Sequence, residues 1–288
     1  MRNEEEMIEL ILKFAVDNDD VRAVIMNGSR VNPNVPKDPF QDYDIVYLVR
    51  NVEPYKRNPE VVSYFGDIMI LQIPDDMGDP PPEKHGGYAY LMQFLDGNRI
   101  DLSFFPLNDA QRRVEDTLSV VLLDKDNLIG PLPPPSDLGY LPKKPTAKAF
   151  EDRCNEFWWL APYAAKGLWR DELTYAKYML DTVVREELMK MLVWYFGTKT
   201  DFQRSPGKLG KYLRGQIEDD LWALLESTYS DSLPQNIWGA LFAMGNLFRK
   251  VAQEVAGSFG FVYPEQDDRN VSNHIRRIKD LPRNVKSL

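Results

Sequence analysis

The chain has 288 residues, enough for two domains that each bury a core of their own. Its 44 acidic and 35 basic side chains leave a net charge of −9, which argues against nucleic acid as the main partner and favours a cationic small molecule. The single Cys154 excludes a disulfide framework and a cysteine zinc site. No apolar stretch approaches membrane-spanning length, and Met1-Arg2-Asn3-Glu4-Glu5-Glu6 lacks the pattern of a secretory signal, so a soluble, cytoplasmic protein is expected.

Taken in order, the pattern predicts a helix near 4–17 and a buried, β-branched strand near 21–27 that ends on Gly28-Ser29. A glycine at that point permits close backbone approach, and bare amides beside a serine hydroxyl suit phosphate oxygens. Twelve residues intervene before Asp42, and a strand near 43–49 follows. Residues two apart on a strand share a face, so Asp42 and Asp44 present their carboxylates together while Tyr43 and Ile45 turn the other way. Carboxylates inside so apolar a run are costly to bury without a partner. Hard oxygen donors of this kind suit Mg²⁺, which binds through one or two carboxylates together with substrate phosphates. The implied chemistry is phosphoryl or nucleotidyl transfer.

Strands are further expected near 67–73, 88–95, 99–105 and 119–123, with Asp96-Gly97-Asn98 as a hairpin turn between the second and third of these. Asp101 sits mid-strand between apolar neighbours and reads as a third carboxylate of a metal-binding triad, as ligand, as base, or as both. The proline-rich stretch from Pro131 to Pro145 breaks regular structure and places a domain boundary at 135, giving domains 1–135 and 136–288. Beyond it the pattern turns helical. Leu180, Val184, Leu188 and Leu192 recur at four-residue steps, and Ile237, Leu241, Met244, Phe248, Val251 and Val255 alternate steps of four and three. About five helices are expected, ending near Gly257 and followed by an irregular tail. The two histidines, His85 and His274, are read as loop residues. The fold class is therefore α+β, a mixed sheet with flanking helices followed by an α-helical bundle.

Gly28-Ser29-Arg30, Asp42-x-Asp44 and Asp101 resemble the nucleotidyltransferase superfamily. Nearly the whole chain resembles the aminoglycoside 6-adenylyltransferases, most specifically in the block from Cys154-Asn155-Glu156-Phe157-Trp158 to Lys166-Gly167-Leu168. That resemblance implies Mg²⁺-dependent transfer of AMP from ATP to a streptomycin hydroxyl with release of pyrophosphate, an antibiotic-resistance activity. It further implies that Asp42, Asp44 and Asp101 hold two ions, and that Gly28, Ser29 and Arg30 grip the phosphates. Asn32-Pro33-Asn34-Val35-Pro36 departs from superfamily members that start a helix directly after the Gly-Ser, because residues before proline avoid the helical region. More positive charge is then expected from the second domain, from Lys208 and Lys211, with Tyr229 adding a hydroxyl. An acceptor carrying guanidinium groups calls for carboxylates and aromatic faces, which Asp152, Glu156, Trp158 and Trp159 offer. Other readings are a nucleotidyltransferase acting on a lincosamide or another aminoglycoside, a protein-modifying adenylyltransferase, and a non-catalytic nucleotide-binding module.

Overall fold

The computed structural model describes residues 2–82 and 86–285, which form two compact units divided between Gly139 and Tyr140. His85 lies outside the described residues. In the first unit, α1 (Glu4–Asp17) begins at a capping box. Asn3 accepts the Glu6 N–H at 2.9 Å while the Glu6 carboxylate takes the Asn3 N–H at 2.7 Å. Met7, Ile11 and Ala15 recur every fourth residue and are fully buried. Six strands follow with two short α-helices among them: β1 (Val21–Asn27), β2 (Tyr43–Val49), α2 (Pro59–Tyr64), β3 (Ile68–Gln72), β4 (Tyr88–Phe94), β5 (Arg99–Pro106), α3 (Ala110–Arg113) and β6 (Ser119–Asp124).

The sheet order is β3-β4-β5-β2-β1-β6, with β2 and β5 parallel and the other neighbours antiparallel. Asp96-Gly97-Asn98 makes the β4–β5 hairpin, Gly97 taking the positive φ of 87° that the turn requires. One face of the sheet packs against α1 and α2 through Tyr43, Ile45, Tyr47 and Phe104, with Phe14 stacked on Tyr47 at 5.3 Å. The other face carries a much smaller apolar cluster of Ala23, Ile25, Val46, Leu48 and Ala110. Alternation along the strands continues that second face from Ala23 and Ile25 to Asn27, and from Leu48 and Val46 back to Asp44. The polar residues thus lie where the small core ends.

The second unit is helical: α4 (Ala147–Trp169), α5 (Leu173–Tyr178), α6 (Arg185–Lys199), α7 (Asp219–Glu226), α8 (Pro234–Phe259) and α9 (Glu265–Asp280). A π-helical turn, Met179–Val184, joins α5 to α6 without a break. The expected stripes are core: Leu180, Leu188, Leu192, Met244 and Phe248 are fully buried, and Phe157 stacks on Phe248 at 3.7 Å. Gly260 ends α8 in the left-handed conformation.

The irregular tail expected after Gly257 is corrected by α9, and His274 is helical rather than in a loop. Only Val271, Ile275 and Ile278 mark its apolar face, too thin a stripe to register among thirteen polar neighbours. Its ends carry the missing signal: Glu265, Asp267 and Asp268 in the first turn and Arg277 and Lys279 in the last match the helix dipole. Asp268 is buried and accepts Arg249 through both oxygens, at 2.5 and 2.6 Å, along with the hydroxyls of Tyr263 and Ser272 at 2.9 Å. Among the described residues no helix is long and apolar enough to cross a membrane.

Candidate active site

Strand register builds the site. Antiparallel pairing sets Asn27 of β1 opposite Asp44 of β2, and parallel pairing sets Asp44 beside Asp101 of β5. Direct ladder partners share a face, so the three form one row across neighbouring strands. Asp101 is therefore on an interior strand, between β4 and β2. The same register, carried back by two residues, brings Arg99 alongside Asp42.

Gly28 follows β1 with φ 82° and ψ −154°, then a single tight turn spans Ser29–Val31 before the proline-rich loop. Two constraints fix a glycine there. The backbone lies in the region that disfavours L side chains, and a Cβ would sit 2.0 Å from Asp44 Oδ2. Its N–H is donated to the Leu118 carbonyl at 3.1 Å, so that amide serves the fold. Leu118 N–H in turn donates to Asp116 Oδ1 at 2.9 Å, fixing an aspartate that the sequence reading did not single out. Asn27, Gly28, Asp44, Asp101, Ser103 and Asp116 line one pocket of about 340 Å³. An aspartate in a polar loop gives no signal by itself; only the pairing of β6 with β1 brings Asp116 to the row.

Arg99 stands among these carboxylates. It clasps Asp101 with a two-pronged fork, Nε to Oδ1 at 2.7 Å and Nη2 to Oδ2 at 2.8 Å, and its Nη1 lies 3.4 Å from Asp42 Oδ2. Burial pushes the Asp44 carboxyl up to about 6, with the charges of Asp101 and Asp42 adding to the rise and Arg99 opposing it. Asp42 is raised in the same direction, first by burial, while Arg99 pulls it back. Among the described residues no three His, Cys, Asp or Glu side chains are gathered closely enough to hold a metal ion as they stand. The donor set nevertheless has the chemistry for one: hard carboxylate oxygens, a buried Asp44 burdened by like charge, and a side-chain-free Gly28 giving Asp44 its room.

Arg30 is buried and its donors are spent on the loop and on Glu4 of α1. It bonds to the Gln41 carbonyl and, at 3.4 Å, to that of Asp42, pairs with Glu4 at 3.4 Å, and covers the Tyr43 ring at 3.8 Å. It thus fastens the loop that delivers Asp42.

The remaining sequence-derived residues lie in the second unit. Lys208 and Lys211 are exposed at a tight turn, and Lys211 Nζ is 4.9 Å from the Tyr212 ring centre. Tyr229 is exposed on one side and backed by the buried Arg185 guanidinium at 3.7 Å. Arg185 is held by the Thr228 hydroxyl at 2.7 Å and the Thr228 carbonyl at 2.8 Å. The α4 residues divide. Asp152 is exposed and paired with Lys148, and Glu156 is exposed beside it. Trp158 is buried, donating its indole N–H to the Tyr263 hydroxyl at 3.1 Å, whereas Trp159 is 65% exposed. Both tryptophans border a cavity of about 430 Å³ with Asn155 and Tyr163 of α4 and Asp267 and His274 of α9; Asp152 and Glu156 lie outside its lining.

Residues 1–278 match the model of the Streptomycin adenylyltransferase family. The chain is 39% identical over 270 residues to the aminoglycoside 6-adenylyltransferase of Bacillus subtilis (strain 168), covering 93% of this chain and 95% of that one. It is 39% identical over 281 residues to the protein of that name from Campylobacter jejuni, covering 97% and 96%, and 34% identical over 278 residues to that from Staphylococcus aureus, covering 96% and 98%. A crystal structure of an aminoglycoside 6-adenyltransferase from Bacillus subtilis aligns with a TM-score of 0.48 at 34% identity, over 98% of this chain and 100% of that one. On the family match over residues 1–278 and the sequence identity to these three relatives, the chain belongs to the streptomycin adenylyltransferase family.

Proposed function

We propose that the protein transfers AMP from ATP to a hydroxyl of an aminoglycoside, the 6-hydroxyl of streptomycin, and releases pyrophosphate. The observation that carries this reading is the register-built row of Asp44 and Asp101, flanked by Asp42 and facing a glycine that cannot carry a side chain. The acceptor oxygen forms a bond to the α-phosphorus as the bond to the β-phosphate oxygen breaks, and the hydroxyl proton passes to a pocket carboxylate.

Asp42, Asp44 and Asp101 are the residues that would hold Mg²⁺, two ions in this reading, with Asp116 close by. Bound Mg²⁺ supplies charge neutralisation for the leaving pyrophosphate and a more acidic acceptor hydroxyl. Gly28 leaves the backbone open to approach, and the Ser29 hydroxyl at the following turn is a donor for phosphate oxygens. The first unit is assigned to ATP and metal and the second to the acceptor, with Lys208, Lys211 and Tyr229 assigned to the nucleotide by their chemistry. The α4 residues Asp152, Glu156, Trp158 and Trp159 are assigned to the cationic acceptor, of which Trp159 offers the most open ring. The net charge of −9 supports a cationic acceptor over an anionic one.

The test incubates the protein with ATP, Mg²⁺ and streptomycin, spectinomycin, kanamycin or lincomycin in parallel and follows pyrophosphate release. Release that requires streptomycin is expected. Equal release with every acceptor, or with none, would sink the assignment; release with kanamycin alone would move it to another aminoglycoside.

A further inference from the structure

Arg99 is a cation built into a row of carboxylates. Its fork occupies both oxygens of Asp101, and its remaining nitrogen lies within ion-pair distance of Asp42. The register explains why: Arg99 and Asp101 are two apart on β5, Asp42 and Asp44 are two apart at the start of β2, and the parallel pairing aligns the two pairs. The side chains involved keep contact with water, at 40% exposure for Arg99, 22% for Asp101 and 36% for Asp42, so the pair is open to exchange. A guanidinium fork suits phosphate oxygens as well as it suits a carboxylate.

We propose that Arg99 is an exchangeable counter-ion of the catalytic pocket: it competes with divalent cations for Asp101 and Asp42, and the triphosphate of the nucleotide is the anion to which its fork transfers. The inference rests on the metal-binding reading above. A divalent cation and Arg99 cannot both use the same Asp101 lone pairs, so each weakens the hold of the other. A polyphosphate relieves the conflict by offering Arg99 new acceptors, and cation and nucleotide then bind better together than apart. Arg99 acts on the cation as a positioning residue and on the nucleotide as a direct ligand.

The measurement is a pair of titrations on the full chain, comparing Arg99→Gln and Arg99→Lys with the native protein. Mn²⁺ alone, without nucleotide, is followed by the loss of its free-ion resonance signal. ATP alone is titrated in EDTA by calorimetry. Arg99→Gln should bind Mn²⁺ about tenfold more tightly and ATP about tenfold more weakly, the effect of removing one charge-assisted contact. Arg99→Lys keeps the charge but loses the fork, and should shift both constants in the same directions by less. Opposite signs on the two ligands are something a loosened fold does not produce. Unchanged or weaker Mn²⁺ binding in both variants, with Mn²⁺ held by the native protein, overturns the role of Arg99 and leaves the proposed reaction standing. A native protein that takes up no Mn²⁺ overturns both.

Discussion

The two units place their chemistry-bearing residues by different means. In the first, hydrogen-bonded register sets Asn27, Asp44 and Asp101 in one row, and their positions follow from which strand pairs with which. In the second, charged and aromatic residues are held by side-chain networks on separate helices, as when Asp268 of α9 gathers Arg249, Tyr263 and Ser272. A sheet therefore concentrates like charge at a cost to itself. The helical unit neutralises its buried charges internally and leaves others, such as Asp152 and Glu156, in solvent.

The largest expected effect strikes the row. Asp44→Asn keeps the shape and removes the charge, so turnover should fall by about 10²–10⁴-fold in the pyrophosphate assay. Stability should move the other way. The Asp44 carboxyl is raised to about 6 in the folded protein, above its ordinary value, so its contribution is fully present below about pH 4 and lost as pH rises through 6. At pH 7.5 in EDTA, Asn at this position removes that loss, and the melting temperature should rise by a few degrees, with the gain vanishing near pH 4. Near-normal turnover, or a lower melting temperature at pH 7.5, would contradict a row of mutually repelling carboxylates.

Asp268→Ala tests the other half of the contrast. It leaves Arg249 partly buried without its carboxylate, which should cost about 3–5 kcal/mol, read as a lower urea midpoint for the transition of the helical unit. Any loss of activity should track the unfolded fraction. A variant that stays folded yet loses turnover would put Asp268 in the chemistry and erase the distinction between the units.

Gly28→Ala comes next. The added methyl would meet Asp44 Oδ2 at 2.0 Å on a backbone at φ 82°, so Asp44 must turn away or the loop must shift. Activity should drop about 10–100-fold with a stability loss of about 1–2 kcal/mol. Unchanged kcat and KM would show that Asp44 tolerates displacement.

These tests bear unequally on what the sequence allowed one to see. The strand faces were legible because alternation has period two and a carboxylate within Tyr43–Val49 breaks an otherwise apolar run. Asp116 and Arg99 were not, because their roles exist only after β6 pairs with β1 and β5 pairs with β2. The Gly28 N–H, expected to face phosphate, goes instead to Leu118, a long-range contact that no local pattern announces. On α4 the difficulty is one of phase. Phe157, Trp158 and Trp159 are consecutive and aromatic, so composition cannot say which of them faces the core.

That ambiguity yields a prediction whose functional half, at Trp159, is the smallest effect and the most discriminating. Trp158 is buried against Phe157 and Phe248 with its N–H on Tyr263, whereas Trp159 is two-thirds exposed on the same helix. Trp158→Ala should cost about 3–5 kcal/mol through the cavity it leaves, and Trp159→Ala less than about 0.5 kcal/mol. If Trp159 stacks on a cationic acceptor, its removal forfeits about 0.5–1 kcal/mol of binding, which raises KM for streptomycin two- to fivefold and leaves kcat and KM for ATP untouched. An equal rise in KM for ATP would place Trp159 with the nucleotide. No change in either constant would leave the carboxylates of the helical unit, rather than its open aromatic ring, to select a cationic acceptor.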